Sequence, residues 1–450
     1  MLRTLKALSN SFKIPDLRQR ILFVLAMIAI YRLGCFIPIP GINSEALAQF
    51  VANVTSKQGG TLFDMMDLFT GRALSQMTIF ALGIMPYISS SIIMQLLTVV
   101  IPSLEKLAKE GGNYGRKQIT QYTRYGTVFL ALFQSFIISV YLEDPQHFMG
   151  LAIVEHGGWG FRLLTMLTLT SGTAFIMWLG EQITERGIGN GMSIIITISI
   201  ISRIPTAARF MVQLLSPFSA EKSQVEPYTA IIMIALLVLV VIFVVLITEG
   251  QRRIPVEYAK KIVGRKVYGG HSTYIPLRVN HAGVIPIIFA QSLILFPATI
   301  GQFLPAFQRF AETLMRGHLL YTILYSLLII FFAYFYTAIT FNTQDVAQNM
   351  KKYGGFIPGV RSGKPTAEYL DYVLTHITLP GAIFLALIAV FPDLIMGWLK
   401  IPYIVASFFG GTGLLIIVGV MLDTMRQIES HLLMRHYDGF MKKGHLRGSR

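Results

Sequence analysis

The stretch 59–97, GGTLFDMMDLFTGRALSQMTIFALGIMPYISSSIIMQLL, sets the narrowest limits on what this chain can fold into. It begins with an amphipathic piece, residues 61–69, in which Asp64 and Asp67 interrupt apolar side chains, and Thr70, Gly71 and Arg72 end it. A helix of about nine residues is roughly 14 Å long, too short for a hydrocarbon core of roughly 30 Å. A long apolar helix is expected to follow at once, interrupted in its middle by Gly83 and Pro86. A half-length segment feeding a broken span enters a membrane without crossing it. Lipid offers no partner to free N–H and C=O groups, so such backbone is tolerated only inside protein or against a water-filled cavity. A pore or transport pathway is the implied setting.

The rest of the chain fits that setting. Of its 450 residues 53% are hydrophobic and 14% charged, where soluble domains carry about a quarter charged residues. Ten mostly apolar windows of spanning length are expected at about 21–39, 75–101, 122–142, 161–180, 188–215, 227–248, 282–304, 319–341, 375–396 and 403–424. Arg203 and Pro205 are expected to end the fifth early. With the amino terminus in the cytoplasm, most of the 38 Lys and Arg fall on the cytoplasmic side. That asymmetry predicts a multi-pass protein of the cell membrane with both termini cytoplasmic. The basic segment before the first window has no cleavage pattern, so the first window is expected to span. Ten spans divide as five plus five, residues 1–215 and 216–450, and an odd number per half inverts one half relative to the other.

Two cytoplasmic loops are long and basic. The first, about 249–281, alternates apolar and polar residues, which predicts a β-hairpin with its tip at Gly269-Gly270. The second, about 342–374, has a Gly/Pro-rich tip and a helix start at Thr366, with Glu368 close behind. Such charge anchors topology and attracts anionic lipids; loops this long also suit the docking of a large cytoplasmic partner. The basic tail, 426–450, extends the same surface.

Several chemistries are missing. No carboxylate is expected inside a span, and Arg32 stands out as an ionic side chain there, which argues against an ion-coupled carrier. The run Gly359 to Thr366 has the wrong glycine spacing for a phosphate loop and a proline after Lys364. His147, His156 and His281 lack ligand spacing. No metal, no cofactor and no enzymatic activity is expected. With one cysteine, Cys35, an internal disulfide is excluded.

What remains is a set of β-branched residues in broken or Gly-rich openings. Ile84 and Ile88 share a helix face, and isoleucines recur in 189–196, 280–289, 296–300 and 408–416. Each alone reads as lipid or helix packing. Together, converging from several helices, they would form a narrow apolar constriction that resists water and ions. A small-solute carrier and an insertase without a through-pore are the competing readings.

The runs FIPIPGI (36–42), FALGIMPYISSSIIMQLLT (80–98), QYTRYGT (121–127), MWLGEQITERGIGNGMSIII (177–196), GQRRIPVEYAK (250–260), AGVIPIIFAQSLILFPATI (282–300), FFAYFYTAITFN (331–342) and FGGTGLLI (409–416) closely resemble the SecY family. Its members are the central subunits of the Sec protein-conducting channel. The resemblance covers nearly the whole chain in order. It implies an all-α polytopic membrane protein of ten helices in two inverted five-helix halves around an hourglass pore, with a half-length plug helix. By motif match the pore ring falls on Ile84, Ile88, Ile196, Ile288 and Ile416. The plug falls on about 61–73, with Leu62, Phe63, Met65, Met66, Leu68 and Phe69 as its apolar side chains. The lateral gate lies between the second/third and seventh/eighth helices, where Ser89, Gln95, Asn280 and Phe296 match. Arg265, Lys266 and Arg361 match loop tips that dock cytoplasmic partners. The implied partners are small membrane subunits of the SecE and SecG types, the SecA motor ATPase, a translating ribosome, nascent polypeptides bearing signal sequences, and anionic lipids.

Overall fold

The computed structural model describes residues 14–57, 67, 69–148, 150–206, 208–209, 227–258, 261–263, 266–268, 272–303, 319–399 and 411–443. Each apolar window contains a helix. In chain order these are α1 (Pro15–Gly34), α3 (Met85–Val100), α5 (Gly112–Glu143), α6 (Trp159–Arg186), α7 (Gly191–Ile201), α8 (Pro227–Glu249), α9 (Ile285–Phe303), α10 (Leu319–Thr340), α12 (Lys364–Leu399) and α13 (Thr412–Lys443). Among the described residues three α-helices lie outside the windows: α2 (Ser44–Lys57), α4 (Pro102–Glu110) and α11 (Thr343–Lys352).

Fewer helices than windows are long and apolar enough to cross a membrane on their own. Among the described residues five qualify, and a sixth if α3 and α4, bent by 98° at Ile101, count as one span. Charges lie inside α1 (Arg18, Arg20, Arg32) and inside α13 (Asp423, Arg426), α7 stops at Ile201, before Arg203 and Pro205, and the side chains of α9 are described only as far as Leu295. Asp393 stands inside α12 and Asp423 inside α13, so the ninth and tenth windows each hold a carboxylate, against expectation.

The broken span differs more. No continuous helix begins after Arg72: residues 71–84 form a chain of turns, and α3 starts at Met85. Gly83 takes φ +57°, a left-handed turn that glycine enters without steric cost, and Pro86 then sits in the first turn, where its missing N–H is no loss. The turns are buried, and their backbone finds partners in protein: Ile39 N–H donates to Met77 O (2.9 Å), Ile79 N–H to Ile37 O (3.0 Å) and Gly71 N–H to Asp67 O (3.1 Å). This is irregular backbone at membrane depth, enclosed by protein as its solvation requires.

Within the first part of the chain α3 packs on α5, α5 on α6, α6 on α7, and α1 on α6 and α7; in the second, α9 packs on α10, α10 on α12, and α13 on α8 and α12. Two helix pairs join these groups, α3 with α9 and α7 with α13. Around both seams lies the largest core cluster, which draws side chains from α1, α3, α6, α7, α8, α9, α10, α12 and α13.

The two long loops form one unit. β1 (Gln251–Tyr258) pairs antiparallel with β4 (Ser272–Arg278), from Gln251 against Arg278 to Glu257 against Ser272. β5 (Gly355–Phe356), from the second loop, adds to the other edge of β1 through Glu257 and Tyr258. Ile254, Val256 and Leu277 of this sheet pack on Met350, Ile357, Leu370, Val373 and Leu374. The outer hairpin, β2 (Lys261–Val263) with β3 (Lys266–Tyr268), turns between Val263 and Lys266 and not at Gly269-Gly270. The helix of the second loop begins at Lys364, ahead of Thr366, whose Oγ1 donates back to Arg361 O (2.8 Å).

Candidate functional site

Four helices bring the candidate isoleucines together. Ile84 is the N-cap of α3 and Ile88 lies in its first turn, so both stand just where the turns become helix. Ile196 lies in α7, whose start is fixed by Asn190: its side-chain oxygen accepts from Met192 N–H (3.1 Å) and Ser193 N–H (3.3 Å). Ile288 stands in the first turn of α9, and Ile416 in the second turn of α13. All five belong to one packed cluster, with exposures of 2, 6, 2, 6 and 0%. Two of the helices come from each part of the chain, and they meet at the two seams between those parts. The structure thus gathers five β-branched side chains from four helices into one buried apolar cluster.

Of the residues matched to a plug, Leu62, Phe63, Met65, Met66 and Leu68 lie outside the described residues. Phe69 is buried, 1% exposed, in the same cluster as the isoleucines. Its neighbours Asp67 and Thr70 are buried polar groups in a bonded set that the sequence reading missed. Thr70 Oγ1 donates to Asp67, whose Oδ1 also accepts from Ser75 N–H (3.0 Å), and Arg203 lies 4.0 Å from Oδ2. Arg203 had been read only as a helix breaker. The available signal was two lone charges, Asp67 and Arg203, each inside an apolar run.

The residues matched to a gate are placed unevenly. Ser89 and Gln95 are half-buried on α3, and Gln95 Nε2 donates along its own helix to Ser91 Oγ (3.3 Å). Asn280 is buried, 7% exposed, in the turn that precedes α9. Phe296 lies in α9, and its side chain is outside the described residues. The structure brings α3 against α9 but records no hydrogen bond, among the described residues, from Ser89 or Gln95 to Asn280. Beside Asn280, His281 packs edge-on against Phe341 at 5.4 Å; burial, and next the Arg278 charge, push its imidazole pKa down, so it is held neutral.

Of the docking candidates, Arg361 is exposed at the tip of the second loop and Lys266 opens β3; Arg265 lies outside the described residues. Among the described residues no group of acidic, histidine or cysteine side chains could hold a metal.

The family model for SecY matches residues 78–425, a span that includes all five isoleucines. The chain is 45% identical over 441 residues to the protein translocase subunit SecY of Aquifex aeolicus, covering 98% of this chain and 99% of that one. The chain belongs to the SecY family. Escherichia coli K12 SecY is also 45% identical, over 439 residues and 96% of each chain. Among solved structures, SecY-like folds recur at low identity. A structure described as that of a protein conducting channel superposes with a TM-score of 0.64 at 17% identity over 92% of both chains, and Sec61 in a canine ribosome-channel complex with 0.60 at 16% over 92% of both. As a SecY-family member this chain is a channel-forming translocase subunit, a polytopic membrane protein with no catalytic role.

Proposed function

We propose that this SecY-family chain is a gated conduit of ten spans in two inverted halves, 1–215 and 216–450, with both termini cytoplasmic. Ile84, Ile88, Ile196, Ile288 and Ile416 form the ring at the waist of an hourglass pore. The segment 61–73 is the plug on its outer side. The gate runs between α3/α5 and α9/α10, at Ser89, Gln95, Asn280 and Phe296, and opens toward lipid. A polypeptide driven from the cytoplasm displaces the ring's side chains from one another and takes their place. A sufficiently apolar segment leaves sideways; a polar one continues across.

The partners belong to the same reading. Sec61 and the yeast Ssh1 complex are each described bound to ribosomes, and the joined loops, with Arg361 exposed and Arg265 and Lys266 matched by motif to the first loop's tip, form the surface that receives a ribosome or a SecA-type motor. SecE- and SecG-type subunits and anionic lipids complete the assembly.

The observation that carries the proposal is the convergence of five isoleucines, from helices of both halves, in one buried cluster. Replacing Ile88 and Ile416 together by serine puts two hydroxyls into that plane. Ion conductance of the reconstituted channel in a planar bilayer should rise by about tenfold or more, because a wetted constriction conducts. Conductance equal to wild type, at equal protein in the bilayer, rejects the ring.

A further inference from the structure

Gln291 lies in α9, one turn beyond Ile288 and about 4.5 Å further along the helix axis. It is 1% exposed, and its neighbours on the helix are apolar: Ile287, Ile288, Ile294 and Leu295 are all buried in the main core cluster. Neither Oε1 nor Nε2 of Gln291 has a hydrogen-bond partner among the described residues. Polar side chains elsewhere in the spans are bonded. Gln95 donates to Ser91 Oγ (3.3 Å), Ser90 to Thr123 O (2.8 Å), and Thr337 and Thr378 to carbonyls of their own helices at 2.7 and 2.8 Å. Thr165 and Thr173 of α6 also lack partners, but each leaves one hydroxyl unmet. The carboxamide leaves two donor hydrogens and an acceptor oxygen.

The amide stands beside the isoleucines. Gln291 follows Ile288 by three residues and Val284 by seven, so the three share one face of the helix. That face turns toward α13: Val284 Cγ1 would stand 2.5 Å from a Cβ added to Gly419, three residues after Ile416. A buried amide without partners costs its full desolvation penalty, whereas an apolar side chain of the same shape packs there without that cost. Whatever meets this amide must bring a donor and an acceptor together into an apolar slot. A peptide unit does so. Every residue but proline carries one N–H and one C=O on its backbone, whatever its side chain.

We propose that Gln291 is a contact for the backbone of the travelling polypeptide, one helical turn past the constriction. Its Oε1 accepts from a peptide N–H, and its Nε2 donates to a peptide C=O of the chain in extended form. The contact is blind to side-chain sequence. A single amide pair is weak enough to be exchanged from one peptide unit to the next as the chain advances, as conduction through a narrow site requires. The idle channel holds the amide unmet, so its packing is less stable than an apolar side chain would make it, and an arriving chain supplies the missing bonds. The inference rests on the reading of the isoleucine cluster as the constriction.

Two experiments test it, both on the reconstituted complex. Gln291→Met keeps the length of the side chain and removes the amide; Gln291→Asn keeps the amide. For Gln291→Met the thermal midpoint of the idle complex is expected to rise, while translocation of a secretory chain by a SecA-type motor with ATP falls about fivefold. Gln291→Asn is expected to hold that rate within about twofold of wild type. Wild-type translocation by Gln291→Met overturns the proposal. So does a Gln291→Asn variant no faster than Gln291→Met, and so does a midpoint that falls together with the rate, which makes Gln291 a packing residue. Second, in a Cys35→Ser background, which removes the one native cysteine, Gln291→Cys and Ile288→Cys are each oxidised against a single cysteine in an arrested secretory chain. Disulfides at both positions are expected. A disulfide at Ile288→Cys with none at Gln291→Cys overturns the backbone contact and leaves the constriction standing. None at either position overturns the constriction, and this inference with it.

Discussion

Helix α3 has two long neighbours, and they hold it by different means. Toward α5, Ser90 Oγ donates to Thr123 O (2.8 Å), and α5 is in turn bolted to α6 at both ends. At one end Arg124 makes two bonds of 2.8 Å to Glu181; at the other Arg162 meets Glu143 at 2.6 and 2.8 Å, and Gly158 N–H joins the same carboxylate. Toward α9, no side-chain hydrogen bond or ion pair crosses the seam among the described residues; the contact is apolar, and α9 leans on α10 through Phe289 against Phe332, edge to face at 5.6 Å. Hydrogen bonds are directional and are lost outright when partners separate, leaving buried groups unsatisfied. Apolar contacts are non-directional, and a passing apolar segment can replace them at little cost. A seam built to part and close again is made of the second kind. A seam built to stay shut is made of the first.

The largest effect expected from this contrast is at the apolar seam. Ile92 continues the Ile84–Ile88 stripe of α3 at the next i+4 position and is 4% exposed in the main core cluster. Ile92→Ala removes buried methylenes and leaves a cavity, at a cost of roughly 2–4 kcal/mol. If the α3–α9 seam is the one that parts, leak conductance should rise together with a fall in the thermal midpoint. A lower midpoint with an unchanged leak breaks the contrast, since it makes Ile92 a residue of the fold and not of the seal.

Next is the bolt at Glu143. The Arg162 guanidinium, and after it the Gly158 N–H, hold the Glu143 carboxyl below the usual glutamate range against the opposing effect of burial. A carboxylate depressed in the folded state stabilises the fold above its unfolded value and loses that contribution as pH falls through the folded one. Glu143→Gln should therefore lower stability at pH 7 by about 1–2 kcal/mol. The gap to wild type should narrow once the pH drops below about 4.3, the ordinary glutamate value. Thermal unfolding between pH 3 and 7 measures it. Leak should not change; a rise would place the α5–α6 pair among the moving parts and blur the contrast.

The two seams also differ in how readable they were. The apolar runs announced a helix in every window, because a stretch of that hydropathy has few other stable forms in lipid. The isoleucines were legible as motif positions, and the first loop as paired strands, from residues local in the chain. The start of α3 was not: residues 73–84 are as apolar as a helix, and only Gly83 and Pro86 showed that this run is turn and not span. The bonded set around Asp67 and the bolts were illegible for a different reason. Asp67 and Arg203, Glu143 and Arg162, or β1 and β5 are far apart in sequence, and nothing in local composition says which lone charge or short strand will meet which. A lone carboxylate in an apolar run declares that it has a partner without naming it.

The smallest effect, and the sharpest test of the bonded seam, is Ser90→Ala. Ser90 is 2% exposed, and its hydroxyl has one partner across the seam, the Thr123 carbonyl, which also accepts from Thr127 Oγ1 at 2.7 Å. Removing the hydroxyl therefore leaves no buried acceptor empty. The expected cost is about 0.5–1 kcal/mol, the net worth of a neutral hydrogen bond, read as a small drop in thermal midpoint at wild-type leak. The same alanine in an Ile92→Ala background should add its cost without coupling if the two faces of α3 act independently. A double variant whose leak exceeds that of Ile92→Ala by several-fold would show that α3 is held as one body by both neighbours. In that case the division into a seam that parts and a seam that stays would fail at the helix on which it was drawn.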